Sequence, residues 1–256
     1  MYYLRKRIPY KLRVQVFKFL TIFSFLRELK NSNIELMHLI RKPSWRGDNF
    51  ASNNYMEFLS DEKFLDVFES SLKNTPSSLR LNFESIKYRV HVANWCAQQT
   101  KDIPGDFIEL GVWYGILSSN IVRHLEFEKL DKKFYLIDPW GGIIGSRYNE
   151  DIYEVVRERF SSYSNVELVR GMAPKVLSNL KLKKIAFLII DMNSVLPEIQ
   201  SLEKLYPLMS CGGIIFFDDY ANNGCEELRG AIDKFFFDKK ESLLIFPSGN
   251  AIVIKL

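Results

Sequence analysis

Five short apolar runs, separated by longer segments with helical spacing, occupy the sequence between residues 107 and 217. Continuous apolar runs are typical of strands that helices cover on both faces, which is the situation in a parallel sheet. The alternation of such strands with helices predicts an α/β fold built on a doubly wound, mostly parallel sheet. The predicted strands are 107–110, 134–137, 166–169, 185–190 and 213–217, and the predicted helices between them are 117–125, 152–163, 173–180 and 196–209.

The segments on either side of this core predict an N-terminal extension and a closing hairpin. Residues 41–56 are rich in Pro, Gly, Ser and Asn, which break helical periodicity, so a linker or lid is expected there. The other predicted elements are helices at 61–72, 84–98 and 225–237 and two closing strands at 243–246 and 251–254. The predicted division is an N-terminal helical extension (1–50), a helical lead-in (51–104) and the sheet domain (105–256).

Residues 1–30 carry the excess positive charge of the chain. They hold eight Lys and Arg residues against the single acid Glu28, whereas the whole chain has a net charge of +4. The rest of the chain is close to neutral, which argues against a nucleic-acid-binding surface. Residues 12–29 form an apolar helical stripe, but the uninterrupted apolar run is shorter than the ~20 residues that span a bilayer. Two interpretations remain open: this segment packs on the sheet domain or on another subunit of a homo-oligomer, or it lies peripherally in a membrane interface.

The three cysteines give no reason to expect a disulfide framework or a structural zinc site. Cys96, Cys211 and Cys225 are odd in number, widely spaced and without Cys-x-x-Cys spacing. A reducing, cytoplasmic location is therefore the expectation, with membrane association through residues 1–30 as the alternative.

Polar residues follow the predicted strands at the edge where an α/β sheet binds its ligands, outside the carboxyl ends of the strands. Four of the five strands end in carboxylates, and several acids gathered together are costly unless a cation or a polyhydroxyl ligand compensates them. This edge is therefore the predicted active site. Its residues are Glu109, Asp138, Gly171, Asp191, Asp218 and Asp219.

The first predicted strand runs into a turn with the pattern Glu109-x-Gly111-x-x-x-Gly115. Glycines allow positive φ and a close approach of the backbone to a ligand, as a nucleotide-binding turn requires. Asp138 follows the second strand, where an acid can accept hydrogen bonds from both ribose hydroxyls. The turn lacks GxGxxG, and no GxxxxGK[ST] occurs, so a single nucleoside with a short tail fits better than a dinucleotide or a P-loop nucleotide. Gly171 is grouped with these cofactor-binding residues, and the alternative for the glycines is an ordinary tight turn.

Asp191, Asp218 and Asp219 end the fourth and fifth predicted strands, which are neighbours in such a sheet. Carboxylates clustered without His or Cys suit magnesium, with manganese and calcium as further options. The alternative is that Asp191 caps the next helix and that the other two form a solvated turn. His91, on the helix before the first strand, is a candidate catalytic base or substrate contact, although a lone helical histidine is more often a packing residue.

Five segments share their motifs with a known family: GDFIELGVWYGILSS, FYLIDPWGGI, VELVRG, LIIDMNSVLPEIQSLEKLYP and GGIIFFDDYANNG. They resemble the macrocin O-methyltransferase (TylF-type) family, class I S-adenosylmethionine-dependent enzymes that methylate sugar hydroxyls. The resemblance spans roughly residues 56–256. It implies a Rossmann-like sheet of seven strands, mostly parallel with a terminal antiparallel strand. It also implies S-adenosylmethionine as methyl donor and a divalent metal that chelates vicinal hydroxyls of a sugar or glycan acceptor.

Position by position, the resemblance assigns the methionine moiety to Glu109, Gly111 and Gly115, the ribose to Asp138, and the metal to the three aspartates, with Asp191 also a candidate base. Family members with an established metal site often read Asp-Gly-Asp where this chain has Asp191-Met192-Asn193, and the missing carboxylate weakens the expected metal site. Two other functions remain open. The acceptor is another vicinal diol, such as a catechol, or the chain is a non-catalytic subunit of a glycan-assembly complex that retains the fold.

Overall fold

A seven-stranded sheet lies at the centre of the computed structural model, which describes residues 43–141 and 151–256. A small hairpin, β1 (Trp45–Gly47) and β2 (Phe50–Ser52), precedes it. The strands of the main sheet are β3 (Asp106–Leu110), β4 (Phe134–Asp138), β5 (Val166–Arg170), β6 (Ile185–Ile190), β7 (Met209–Phe217), β8 (Leu244–Ile245) and β9 (Ala251–Ile254).

The sheet order is β5-β4-β3-β6-β7-β9-β8. Strands β3 to β7 pair in parallel, and β9 runs antiparallel to both β7 and β8. The predicted α/β fold is therefore confirmed, with its mostly parallel seven-stranded sheet and its terminal antiparallel strand. The order changes direction at β3, so the carboxyl ends of β3, β4 and β6 meet where such sheets bind their ligands.

Helices lie on both faces of the sheet, and three of them connect parallel strands. They are α1 (Glu62–Ser71), α2 (Ser77–Ser85), α3 (Lys87–Thr100), α4 (Ile116–Leu125), α5 (Tyr153–Phe160), α6 (Val195–Leu205) and α7 (Glu226–Phe236). Side chains of β3 alternate between two apolar clusters: Phe107 packs in the cluster of α3 and α4, and Ile108 in the cluster of α6 and α7. All six residues of β6 are buried, which explains why its sequence is an uninterrupted apolar run.

Three predicted helices differ from the observed ones. The helix predicted at 84–98 begins only at Lys87, because the backbone leaves helical geometry at Ile86 and residues 77–85 form a separate helix. The helix predicted at 173–180 is wrong: Ala173 and Leu177 are buried at helical spacing, but only a short 3-10 helix, Val176–Asn179, forms there. The helix predicted at 196–209 ends at Leu205, just before a 3-10 turn that contains a proline, and Met209 already belongs to β7.

Residues 45–52, within the segment 41–56 where a linker or lid is predicted, form the β1–β2 hairpin, so this part is not a linker. Trp45 is buried and meets the Phe58 ring edge-on at 5.1 Å between centroids. A Cβ on Gly47 would lie 2.4 Å from the Ser85 carbonyl oxygen, so the hairpin packs closely on the end of α2.

The predicted N-terminal helix, residues 12–29, lies outside the described residues. Within the ranges 43–141 and 151–256, the helices fall short of the length and apolarity that crossing a membrane requires.

Candidate active site

The carboxyl ends of the central strands bring the predicted site residues to one edge of the sheet. The Asp191 N–H donates to the Leu110 carbonyl at 2.8 Å, and the Asp218 N–H donates to the Ile190 carbonyl at 3.0 Å, so pairing continues past the strands. Gly111 is required where β3 meets β6: its φ is +83°, and a Cβ there would lie 1.8 Å from the Asp191 carbonyl oxygen.

Asp191, Asp218 and Asp219 form an aspartate cluster in which one carboxylate oxygen from each lies within 4.8 Å of the others. Asp218 is buried, and its Oδ1 has no hydrogen-bond partner. Burial, with the neighbouring carboxylates, raises the pKa of Asp191 well above its ordinary value, and burial also raises that of Asp218. Three converging carboxylates with an unsatisfied buried oxygen fit a hard divalent cation such as magnesium.

Arg89 of α3 reaches the same cluster from the side of the hairpin. Its guanidinium is buried, ion-pairs with Asp218 and lies 3.8 Å from Asp219. It also holds Asp48, in the β1–β2 turn, through two parallel hydrogen bonds of 3.0 and 2.9 Å. These carboxylates raise the pKa of Arg89 against the effect of burial, so the guanidinium stays charged.

Glu109 lies beneath the turn that follows β3. It is 1% exposed, and its Oε2 is buried without a hydrogen-bond partner. Burial raises the pKa of Glu109 to about 8, and the neighbouring carboxylates of Asp218 and Asp138 add to the effect. Gly115 begins α4 with a φ of +69°, and a Cβ there would lie 2.8 Å from the Phe160 ring. The turn thus combines a buried acid, one of whose oxygens lacks a hydrogen-bond partner, with a glycine at which a side chain would clash with Phe160.

Asp138 ties the turn after β3 to the end of β4. Its Oδ2 accepts the N–H groups of Val112 and Trp113 at 2.8 and 2.9 Å, and its Oδ1 accepts the Trp140 N–H at 2.5 Å. The indole N–H of Trp140 donates to the Trp113 carbonyl at 3.0 Å, which closes the arrangement. Asp138 therefore holds the turn in shape, a role beyond the ribose contact predicted for it.

Two residues shape the loop after β6. The Nδ2 of Asn193 donates to Asp191 Oδ1 at 3.1 Å, so Asn193 touches the aspartate cluster through its amide nitrogen. Glu198 is buried, and its Oε1 accepts the N–H groups of Met192 and Ser194 at 3.1 and 3.4 Å. Burial raises the pKa of Glu198 to about 7.

Gly171 lies at the end of β5, and its N–H donates to the Asp138 carbonyl at 3.0 Å.

The structure does not place His91 with the aspartates. Its ring packs among aromatic side chains, 5.4 Å from Phe58 and 6.2 Å from Phe64 between centroids, and burial lowers its pKa. Arg89, two positions earlier on α3, points to the cluster instead, because residues two apart lie on different faces of a helix. The catalytic role predicted for His91 finds no support in these surroundings.

No role for Arg89, Asp48 or Glu198 follows from the sequence alone. A weak signal for Arg89 was present: apart from Lys87 in the first turn, it is the only Lys or Arg in this helix, and it lies among mostly buried residues. Its partners lie 41 and 129 positions away along the chain, so they become visible only in the folded protein.

The sequence is similar to a known protein family and to a named enzyme. The macrocin-O-methyltransferase (TylF) family model matches residues 87–241. Demethyldecarbamoylnovobiocin O-methyltransferase of Streptomyces niveus is 27% identical over an alignment of 160 residues, and the match covers 52% of this chain and 59% of that protein. The chain thus matches less than two thirds of the length of this relative.

Two solved structures share the fold. The O-methyltransferase NovP superposes with a TM-score of 0.54 at 22% identity, over 65% of this chain and 79% of NovP. CalS11, a TDP-rhamnose 3'-O-methyltransferase of calicheamicin biosynthesis, gives a TM-score of 0.53 at 17% identity, over 76% of this chain and 95% of CalS11.

Proposed function

Because this chain belongs to the macrocin-O-methyltransferase (TylF) family, we propose that it is an S-adenosylmethionine-dependent O-methyltransferase acting on a hydroxyl of a sugar or of a glycosylated small molecule. One observation carries the proposal: a buried carboxylate oxygen without a hydrogen-bond partner on Glu109, and another on Asp218, lie at the same edge of the sheet. The first suits a cationic donor and the second a divalent cation at the acceptor.

The donor-binding side is the turn after β3 with Asp138. S-adenosylmethionine, when bound, supplies a methyl group on a positively charged sulfur. Glu109 provides a carboxyl whose ionised form a nearby positive charge favours. Gly115 supplies the positive φ of the turn without a side chain that would clash with Phe160, and Asp138 holds the turn in the shape that the ligand meets.

The acceptor-binding side is the aspartate cluster. Asp191, Asp218 and Asp219 would hold a divalent metal such as magnesium, which would supply Lewis acidity to the acceptor hydroxyl. Asp191 is half-buried, so part of its side chain stays accessible to an acceptor hydroxyl. We therefore assign to Asp191 the removal of the proton from the hydroxyl that is methylated.

Methyl transfer from labelled S-adenosylmethionine to a panel of nucleotide sugars, glycosides and catechols tests the function. We expect transfer to at least one sugar hydroxyl and its loss in EDTA. Asp191→Asn should lower kcat by ~10²-fold or more, the usual contribution of a positioned base, while S-adenosylhomocysteine binding persists. Asp66→Asn, on the exposed face of α1, is the matched control.

Three results would contradict separate parts of the proposed function. Transfer to catechols alone would contradict the sugar acceptor, and unchanged turnover in EDTA would contradict metal assistance. A folded protein that does not bind S-adenosylhomocysteine would contradict the methyltransferase itself.

A further inference from the structure

Arg89 places a fixed positive charge inside the aspartate cluster. Its guanidinium contacts Asp218 and lies 3.8 Å from Asp219, two of the three residues to which the proposed function assigns a metal. A bound divalent cation and this guanidinium would therefore share the same carboxylates.

Asp48 shares the guanidinium with the cluster. It takes Nε and one terminal nitrogen of Arg89 in a bidentate pair, and that same nitrogen donates to the Ser248 carbonyl at 3.3 Å. The other terminal nitrogen, Nη1, is the one that faces Asp218 and Asp219. The planar fork of arginine thus divides between the hairpin on one side and the cluster on the other.

The surroundings keep this arrangement fixed. Arg89 is 7% exposed and Asp48 is 9% exposed, so the pair is screened little by solvent. Close packing of Gly47 on Ser85 holds the β1–β2 turn that carries Asp48 in place. Neither side chain can move away from the cluster without disturbing a packed element.

We propose that Arg89 is the built-in counter-ion of the aspartate cluster, that it competes with a divalent cation for Asp218 and Asp219, and that Asp48 sets the strength of this competition. The inference rests on the metal site of the proposed function. It gives the hairpin a role in tuning that site through a side chain that touches neither donor nor acceptor.

Metal affinity, measured without turnover, tests the proposal. Calorimetric titration with Mn²⁺ should give a dissociation constant about tenfold lower for Arg89→Met than for the wild type, because a like charge within ~4–6 Å disfavours a bound cation. Asp48→Asn should act in the opposite direction and weaken Mn²⁺ binding severalfold, since it removes a negative charge and releases Arg89 to the cluster.

Two matched controls carry the same changes of charge elsewhere. Arg46→Met alters an exposed arginine of the same hairpin, and Asp66→Asn alters an exposed acid of α1. Both should leave the Mn²⁺ dissociation constant within about twofold of the wild type, because exposed charges are strongly screened. If Arg89→Met does not fold, Arg89→Lys takes its place. It keeps the positive charge but loses the fork, so its Mn²⁺ dissociation constant should differ less than tenfold from that of the wild type. Asp48→Asn should still weaken Mn²⁺ binding.

The outcomes separate this inference from the proposed function. Equal Mn²⁺ affinity in wild type, Arg89→Met and Asp48→Asn would overturn the counter-ion role and leave the metal site standing. Binding in Arg89→Met alone would support the counter-ion role and contradict metal assistance in the natural protein. Absence of binding in every variant would overturn both.

Discussion

Glu109→Gln should change how the stability of the protein depends on pH. The carboxyl is fully buried, and its pKa rises from 4.5 to about 8 on folding. The folded state therefore keeps a proton that the unfolded state releases, so this group stabilises the fold most below pH 4.5 and loses that contribution as the pH rises to 8. At ~1.4 kcal/mol per pH unit, the loss is about 3 kcal/mol by pH 7 and at most about 5 kcal/mol above pH 8.

Urea denaturation of the wild type and of Glu109→Gln from pH 5 to pH 8.5, without ligand, measures how the stability of each depends on pH. A constant offset between the two proteins is expected, because glutamine cannot reproduce every contact of the acid. The decisive quantity is the slope: relative to wild type, Glu109→Gln should gain stability steadily until about pH 8 and then level off. Glu158→Gln, at an exposed position of α5, is the matched control and should run parallel to wild type. Parallel curves for Glu109→Gln as well would falsify the reasoning.

The same carboxyl links stability to the donor. A cationic ligand beside Glu109 favours its ionised form, so binding near pH 7 should release close to one proton. Calorimetry with S-adenosylmethionine in two buffers of different ionisation enthalpy detects that proton. A heat that does not depend on the buffer would place the positive charge of the donor away from Glu109.

Three further substitutions follow from the geometry. Gly111→Ala should lose at least about 2 kcal/mol of unfolding free energy, because strained φ costs ~1–3 kcal/mol before any clash with Asp191. Gly224→Ala isolates the φ contribution, because Gly224 has a φ of +88° and nothing within 4 Å of the position of an added Cβ. Equal losses in the two variants would contradict the clash. Glu198→Ala should lose ~1–3 kcal/mol of unfolding free energy, measured by thermal unfolding, because two part-buried N–H groups lose their acceptor. Glu203→Ala, at an exposed position of the same helix, should lose much less, and equal losses would contradict this role of the Glu198 carboxylate. Asp138→Asn should lose ~1–3 kcal/mol and weaken S-adenosylhomocysteine binding, since one acceptor oxygen becomes a donor facing backbone N–H groups; unchanged stability would show that these bonds contribute little.

The central sheet and the acidic edge were predictable because both depend on local pattern and on one rule of topology. Apolar runs such as 185–190 need burial on both faces, and an acid directly after such a run must lie at the ligand-binding edge. The break at Ile86 was not predictable, since no glycine or proline marks it. The failed helix at 173–180 had correct apolar spacing, yet a short 3-10 turn buries the same side chains.

The charged partners of the aspartate cluster were not predictable from the sequence for a different reason. Arg89 meets Asp48 and Asp218 through contacts between separate elements, and nothing in the spacing of these residues predicts a shared guanidinium. Histidine is the more familiar catalytic residue type, so the sequence alone favours His91 as the catalytic candidate over the arginine two positions earlier.

The position of β9 has a consequence for biosynthesis. This strand, Ala251–Ile254, lies between β7 and β8 although it follows both along the chain. While the protein emerges from the ribosome, the edge of β7 beside Asp218 stays unpaired until residue 254 is available, and the Ser248 carbonyl that holds Arg89 arrives only shortly before. The acceptor half of the site is thus completed last, and a nascent chain arrested before that point exposes an open strand edge to chaperones and to other chains.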